Sequence, residues 1–343
     1  PGAELPLRLG RETADFISRK SEAEEPFFAM LSFYSVHGPI HCSEERFKKF
    51  QAKAEKMGLT TRTDPRFKMD RTQEVRQVQD HPIYAGMMAA LDDAVGIVLD
   101  AIEASGEADN TVVIFTSDNG GVSSGDGYAT SALPMRGGKG RQWEGGIRQP
   151  YYISWPGVTD GATTETLATG MDFYPTILEI AGIKAMPDQH LDGISLVPVL
   201  KGEEIPERPL FWHYPHYGNQ GGEPSAIMMQ GDWKLIHYFE DGRNELYHLG
   251  NNIGETIDLA SQHPLRAAEM ATALRGWMSE VGASLPTENP AFDAIALENQ
   301  RAKLEAGGNP KREAEHAAYL KADFAPKGGW WDKPTLKRPE IKD

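Results

Sequence analysis

Residues 111–150 have the sequence TVVIFTSDNGGVSSGDGYATSALPMRGGKGRQWEGGIRQP. The first six of them are mostly β-branched or aromatic, which predicts a buried strand. Asp118 and Asn119 follow directly, ahead of two glycines. Ligands in open α/β sheets bind beyond the carboxyl ends of the strands, and a carboxylate beside an amide oxygen suits a hard cation. Without further context this short segment is more typical of a simple turn.

A second polar segment strengthens the functional interpretation. Arg136 and Lys139 lie among three glycines, and residues 143–148 (WEGGIR) continue the pattern. Glycine lets the backbone approach a ligand closely, and lysine supplies a mobile positive charge for an oxyanion. A flexible surface loop is the alternative, but it explains neither the regular spacing of the glycines nor the strand predicted at residues 150–155. The pattern therefore favours an anion-binding loop.

Together these segments, S-D-N-G-G and then L-P-M-R-G-G-K-G-x-x-W-E-G-G-I-R-x-P, resemble the core of the type I sulfatases of the alkaline-phosphatase-like superfamily. The resemblance implies a sulfuric ester hydrolase with a Ca²⁺ ion, or Mg²⁺ as the alternative. It implies that Asp118 and Asn119 are metal ligands and that Lys139 binds the sulfate group. Glu144 and Arg148 match positions that hold the loop rather than contact the substrate.

A histidine motif precedes this core. Residues 27–35 (FFAMLSFYS) are almost continuously apolar, which predicts a buried parallel strand, and His37 follows it. A lone histidine is more often structural. The segment Y-S-V-H-G-P, however, resembles the sulfatase signature Y-x-x-H-x-P, which implies that His37 contacts the sulfate and protonates the leaving oxygen.

The single cysteine, Cys42, only partly resembles the sulfatase nucleophile motif. In that family a cysteine in C-x-P-x-R is oxidised to formylglycine, whereas here Glu44 replaces the proline, although Arg46 is correctly spaced. The segment also follows the histidine motif, while the family's nucleophile precedes it. We therefore expect an ordinary thiol. Neither C-x-P-x-R nor S-x-P-x-R occurs in the 343 residues, so we expect a fragment that is inactive by itself.

The order of the predicted elements indicates the fold class. A helix predicted over residues 81–105 separates the 27–35 and 111–116 segments, and this β-α-β order predicts a parallel sheet. We expect an α/β fold with a mixed, mostly parallel sheet flanked by helices, as in alkaline-phosphatase-like proteins, over residues 1–205.

The rest of the chain has a different character. Short predicted strands between Gly, Asp and Asn turns, and one helix, indicate a small antiparallel sheet with a helix over residues 206–283. Residues 284–343, which include Trp330 and Trp331, are expected to form an extended tail.

The loop at residues 213–219 (HYPHYGN), hereafter the aromatic loop, suggests the substrate class. Aromatic rings with polar ends suit a sugar face, so His216 is a candidate substrate-binding residue and a sulfated carbohydrate is favoured over an aryl sulfate. Two alternatives stay open. One is a phosphodiesterase or phosphonate hydrolase of the same superfamily, and the other is an inactive sulfate-binding homologue.

The composition limits the range of partners. The formal charge is −15, from 35 basic and 50 acidic residues, which argues against non-specific binding to nucleic acid or anionic membranes. An anionic substrate then needs a local basic pocket, for which Arg136, Lys139, Arg141 and Arg148 are candidates. No apolar run is long enough for a membrane span, and one cysteine excludes an internal disulfide. Only the family resemblance suggests a periplasmic or secreted location.

Overall fold

The computed structural model of the protein describes residues 4–305 and 310–324. Its α-helices are α1 (Leu5–Glu22), α2 (Glu44–Lys56), α3 (Pro82–Ala104), α4 (Glu144–Ile147), α5 (Phe173–Ile180), α6 (Val197–Leu200), α7 (Pro264–Glu280), α8 (Ala294–Glu305) and α9 (Pro310–Ala318). Its strands are β1 (Phe67–Asp70), β2 (Gln73–Arg76), β3 (Val113–Thr116), β4 (Tyr151–Ser154), β5 (Leu210–Tyr214), β6 (Ser225–Gln230), β7 (Trp233–Tyr238) and β8 (Asn244–His248). Within the described residues, no helix is both long and apolar enough to cross a membrane.

The chain divides into two compact units. The first contains the described residues up to 108, residues 121–132 and the described residues from 293 onward. The second contains residues 109–120 and 133–292.

In the first unit, α1 and α2 pack against α3. Small residues line the buried face of α3, which lets its neighbours approach closely. A Cβ atom added to Gly10 of α1 would lie 2.7 Å from the backbone oxygen of Ala94, and one added to Gly86 would lie 2.4 Å from the Cys42 sulfur. His81 caps the N-terminus of α3, and its ring nitrogen accepts a hydrogen bond from the Tyr84 backbone N–H at 3.3 Å.

The β1-β2 hairpin is joined to α9 by a cluster of buried polar groups. The fully buried Arg76 pairs with Asp80 and donates to the Tyr128 backbone oxygen at 2.9 Å and to His316 Nδ1 at 2.8 Å. The imidazole accepts this hydrogen bond, so it must be neutral. Burial and the neighbouring arginine lower the pKa of His316 to about 3, and burial lowers the pKa of His81 well below its usual value.

Ion pairs reinforce the attachment of α9. Arg66 contacts both Asp80, at 2.7 Å, and Glu313, at 2.6 Å, and Arg312 pairs with Glu74. The contact face of α9 therefore consists largely of polar groups, which is why the sequence shows no apolar repeat there.

The predicted parallel sheet is not observed among the described residues. Strand β3 pairs with β4 in antiparallel register, and residues 27–35 form neither a helix nor a strand. Phe28 and Met30 in that segment are 69% and 81% exposed. The β-α-β prediction requires that both segments join one sheet, whereas here they belong to different units.

The predicted antiparallel sheet with a helix is confirmed in the second unit. The strand order is β5-β6-β7-β8, with all neighbours antiparallel, and α7 packs on β6, β7 and β8. Alternate residues of β6 are buried on opposite faces, since Ala226 and Met228 contact the α7 side and Ile227 and Met229 contact the side of Trp143.

Two helices, α8 and α9, occupy part of the range predicted to be an extended tail, so that expectation is wrong for residues 294–305 and 310–318. The attachment of α9 through charged groups explains the difference, because a helix held in this way shows no apolar periodicity in the sequence. Trp330 and Trp331 lie outside the described residues. The predicted domain boundaries at 205/206 and 283/284 stay predictions.

The neutral histidines predict a pH dependence of stability. Unfolding exposes His81 and His316, which then titrate near pH 6.5. For His316 the unfolded state therefore binds more protons between about pH 6.5 and pH 3, and the lowered pKa of His81 acts in the same direction. The free energy of unfolding should therefore fall as the pH falls through this window, by up to about 1.4 kcal/mol per pH unit for each histidine. Urea denaturation of the chain at about pH 7.5, above this window, and at about pH 5.5 and 4.5, inside it, measures the slope.

His316→Gln should reduce this slope, because the amide oxygen can still accept from Arg76 but does not titrate. His41→Gln, at an exposed histidine, is the control and should keep the slope of the parent. An identical slope in His316→Gln and the parent would show that His316 is not the titrating group.

Candidate functional site

The strand-end corner, Asp118 and Asn119, follows β3 as predicted. Asp118 is exposed and Asn119 is half-buried. The Ser117 hydroxyl donates to the Asn119 backbone oxygen at 3.1 Å, and Asn119 Nδ2 donates to the Gly120 backbone oxygen at 2.9 Å. This donation orients the amide, so Oδ1 is the atom that a cation would use. The two side chains thus offer adjacent oxygen donors.

The strand-end corner and residues 136–140, hereafter the Gly-Lys loop, are joined through the short helix α4. The Gly120 N–H donates to the Gly146 oxygen at 3.0 Å, and the Gly145 N–H donates to the Arg136 oxygen at 2.8 Å. A Cβ atom on Gly120 would lie 1.8 Å from the Gly145 oxygen, and one on Gly146 would lie 2.5 Å from the Gly138 oxygen. Only glycine fits these contacts, so the two predicted site segments are held together backbone to backbone.

A buried ionic triad fixes α4 to the antiparallel sheet. The Lys234 ammonium lies 3.0 Å from Glu144 Oε1 and 2.8 Å from Glu255 Oε1. Glu255 also accepts the Glu144 backbone N–H at 2.6 Å, and its own backbone oxygen accepts from Arg136 at 3.1 Å. Burial raises the pKa of Glu255. Glu144 therefore holds the loop, as the sequence implied.

Lys234 and Glu255 were missed from the sequence. The only signal was a lysine inside the apolar strand β7, where alternation alone could not show whether it faced solvent. Glu255 lies in a turn with a positive φ of 47°, far along the chain from Glu144.

The proposed basic pocket is smaller than the sequence suggested. The Arg136 guanidinium lies 3.7 Å from the Trp143 ring centroid, and the Arg141 guanidinium lies 4.9 Å from it. Trp143 and Arg141 are buried, so Arg141 serves packing rather than an incoming anion. Lys139 is half-buried and Arg148 is exposed, which leaves these two side chains accessible.

His37 belongs to the first unit, and the strand-end corner and the Gly-Lys loop belong to the second. It is exposed, its ring Nδ1 lies 2.9 Å from the Gly38 oxygen, and its backbone N–H donates to Tyr34 at 2.9 Å. Its role at the sulfate stays a prediction. His216 of the aromatic loop is exposed, and its ring lies edge-on to Tyr214 at 5.3 Å.

A complete metal site is not formed by the described residues. Nowhere in residues 4–305 and 310–324 do three His, Cys, Asp or Glu side chains group closely enough to hold an ion. Ca²⁺ takes six to eight oxygen ligands, and Mg²⁺ near-ideal octahedral geometry. Asp118 and Asn119 therefore fit only part of such a site, and their assignment as metal ligands stays a prediction.

Cys42 has the properties of a structural thiol. It is buried against Phe47 and Ile83, and burial together with the nearby Glu4 raises its pKa to about 12. Because the thiolate is the reactive form, this cysteine is inert at neutral pH. Its burial and raised pKa agree with the expectation of an ordinary thiol, which stays a prediction.

The ionic triad generates a prediction about stability. Lys234→Met leaves Glu144 and Glu255 buried without their counter-ion, which should lower the free energy of unfolding by about 3–5 kcal/mol at pH 7.5. Lys48→Met is the control, because Lys48 pairs with Glu44 on the surface of α2 and should change stability by less than about 0.5 kcal/mol. Chemical denaturation measures both. Equal effects would mean that the triad contributes nothing specific.

Sequence comparison places these features among known proteins. A family model described as Sulfatase matches residues 8–183, and a second model, described as N-sulphoglucosamine sulphohydrolase, C-terminal, matches residues 139–281. A sulfatase of Formosa agariphila is 35% identical over 297 residues, which cover 79% of this chain and 49% of that protein. Steryl-sulfatase of Rattus norvegicus is 32% identical over 217 residues, covering 61% of this chain and 32% of that protein.

The fold is also similar to solved structures. The crystal structure of Ps i-CgsB in complex with k-i-k-neocarrahexaose superposes with a TM-score of 0.66 at 23% sequence identity, covering 91% of this chain and 62% of that one. The chain therefore has an α/β sulfatase-like fold. It spans about half the length of the Formosa agariphila relative. Since the Sulfatase model matches more than half of its 343 residues, the chain belongs to the sulfatase family.

Proposed function

We propose that this chain forms part of the active site of a sulfuric ester hydrolase that acts on a sulfated carbohydrate. The observation that supports this most strongly is that backbone hydrogen bonds and close glycine contacts connect the strand-end corner to the Gly-Lys loop through α4. These contacts set two oxygen donors near a lysine flanked by glycines, as binding of a sulfate and its counter-cation requires.

Each site residue has a distinct role in this proposal. Lys139 neutralises charge that develops on the sulfate oxygens, and a fixed counter-charge of this kind is among the largest contributions to catalysis. His37 donates a proton to the leaving oxygen. Asp118 and Asn119 contribute to a divalent cation site, and such a cation, when bound, polarises the sulfate.

The carbohydrate assignment rests on the aromatic loop and on His216. It also agrees with the family model described as N-sulphoglucosamine sulphohydrolase, C-terminal. The similarity to steryl-sulfatase supports aryl or steryl sulfates as the alternative substrates. The Gly-Lys loop favours a sulfate over the phosphodiester and phosphonate alternatives. Measurement of sulfate ester hydrolysis distinguishes the enzyme from the other alternative, an inactive sulfate-binding homologue.

Lys139→Ala tests the proposal in the full-length enzyme. Loss of the charge should lower kcat/KM for a sulfate ester by a factor on the order of 10²–10³. Lys201→Ala, at an exposed lysine after α6, is the matched control and should retain the parent value. Unchanged kcat/KM in Lys139→Ala would place that lysine outside the site, and hydrolysis of a phosphodiester rather than sulfate would favour the alternative.

The 343-residue chain alone is expected to be inactive on aryl and sugar sulfates, with or without Ca²⁺. Its only cysteine is inert, and its described residues supply only part of a metal site. Incubation of the purified chain with a nitrophenyl sulfate measures this. Metal-dependent turnover that Cys42→Ala abolishes would contradict both this expectation and our interpretation of Cys42.

A further inference from the structure

The aromatic loop leads into a glycine-rich turn at residues 218–222. This turn is in close backbone contact with the Gly-Lys loop. A Cβ atom on Gly222 would lie 2.0 Å from the Gly140 backbone oxygen, and one on Gly140 would lie 2.6 Å from the Gln220 side-chain oxygen. The Gly218 N–H closes the turn by donating to the Gly222 oxygen at 2.9 Å. The two loops, both in the second unit, therefore approach more closely than any other residue type would permit.

A buried side-chain contact holds the same two loops together. Gln142, two residues after Gly140, donates from Nε2 to Glu223 Oε2 at 3.3 Å and to the Tyr238 hydroxyl at 3.1 Å. Tyr238 in turn donates to Glu245 at 2.7 Å. Because these groups are buried, the aromatic loop has a fixed position relative to the Gly-Lys loop.

The loop so fixed presents large aromatic rings at the surface. Tyr214 and Tyr217 are 51% and 66% exposed, and the His216 ring packs edge-on against Tyr214. Summing bond lengths along the Gly218–Gly140 contact places the Cα atoms of Tyr217 and Lys139 no more than about 15 Å apart. A saccharide whose sulfate is bound at Lys139 can therefore extend to the aromatic loop.

We propose that Tyr214, His216 and Tyr217 form a sugar-binding subsite whose position beside Lys139 is set by the Gly140–Gly222 contact. This rests on the proposed function, because Lys139 is taken to bind the sulfate. The apolar face of a pyranose packs on a tyrosine ring, while the phenol and imidazole groups hydrogen-bond its hydroxyls. The subsite therefore favours sulfate esters carried by a saccharide, because its rings and polar groups bind a sugar that a small aryl sulfate lacks.

Calorimetric titration of the 343-residue chain with carrageenan and chondroitin sulfate hexasaccharides tests the subsite without requiring activity. Tyr214→Ala and Tyr217→Ala should each weaken binding about fivefold to tenfold. Tyr174→Ala, which removes a partly exposed tyrosine of α5, is the control and should bind as the parent does. No binding by the parent, or equal affinity in all the variants, would overturn the proposal.

The glycine contact has its own test. Gly222→Ala should displace the loop and weaken hexasaccharide binding as much as the tyrosine variants do, because its methyl group would overlap the Gly140 oxygen. Gly276→Ala is the control, since a Cβ atom at that position of α7 meets nothing within 4 Å. Retained affinity in Gly222→Ala would show that this contact does not set the subsite.

Kinetics of the full-length enzyme separate this proposal from the proposed function. Tyr217→Ala should lower kcat/KM for the sulfated hexasaccharides by a larger factor than kcat/KM for a nitrophenyl sulfate, and the control Tyr174→Ala should leave both values at those of the parent. Hydrolysis of both with no effect of Tyr217→Ala would overturn the subsite and leave the sulfatase proposal standing. Saccharide binding that depends on Tyr217 in a protein that hydrolyses no sulfate ester would support the subsite and reject the hydrolase.

Discussion

The site geometry depends on the ammonium of Lys234, which is buried between the carboxylates of Glu144 and Glu255. Two carboxylates and one cation out of water are costly unless every group is paired, so the three side chains must meet in one arrangement. That arrangement fixes the start of α4, and α4 fixes both the strand-end corner and the Gly-Lys loop through backbone hydrogen bonds. The antiparallel sheet is thus a support for the strand-end corner and the Gly-Lys loop as well as a separate layer of structure.

The sequence was most informative where backbone chemistry is specific. The glycines around Lys139 and the antiparallel sheet with α7 follow from local propensity and alternation, and the structure contains them. The strand before Asp118 is present as β3, but its predicted burial is wrong, because Phe115 and Thr116 are exposed. The residues 27–35 were misjudged, because an apolar run indicates burial in a sheet only if a partner strand is present. Pairing is a long-range property that one segment does not encode.

The residues that the sequence did not predict were missed for a different reason. Lys234, Glu255 and the face of α9 are polar, and patterns of apolar residues carry no information about polar groups buried in pairs. For Arg141 the sequence suggested a function where the structure shows packing. Its charge suggested contact with an anion, but its side chain packs on Trp143. For Lys234, Glu255 and α9 the partner lies far away in sequence, and only the fold identifies it. The roles of His37, His216, Lys139 and the strand-end corner stay predictions.

The glycine contacts around α4 have a consequence for how such a protein can diverge. Gly120, Gly146 and Gly222 meet carbonyl oxygens at distances that no side chain tolerates, so single substitutions cannot adjust that geometry by small steps. The exposed rings of Tyr214 and Tyr217 are under no such restriction. A change of specificity would therefore arise by substitution of the exposed aromatic side chains, while the backbone held by the glycines stays the same. Variable and invariant positions would thus lie within a few residues of one another.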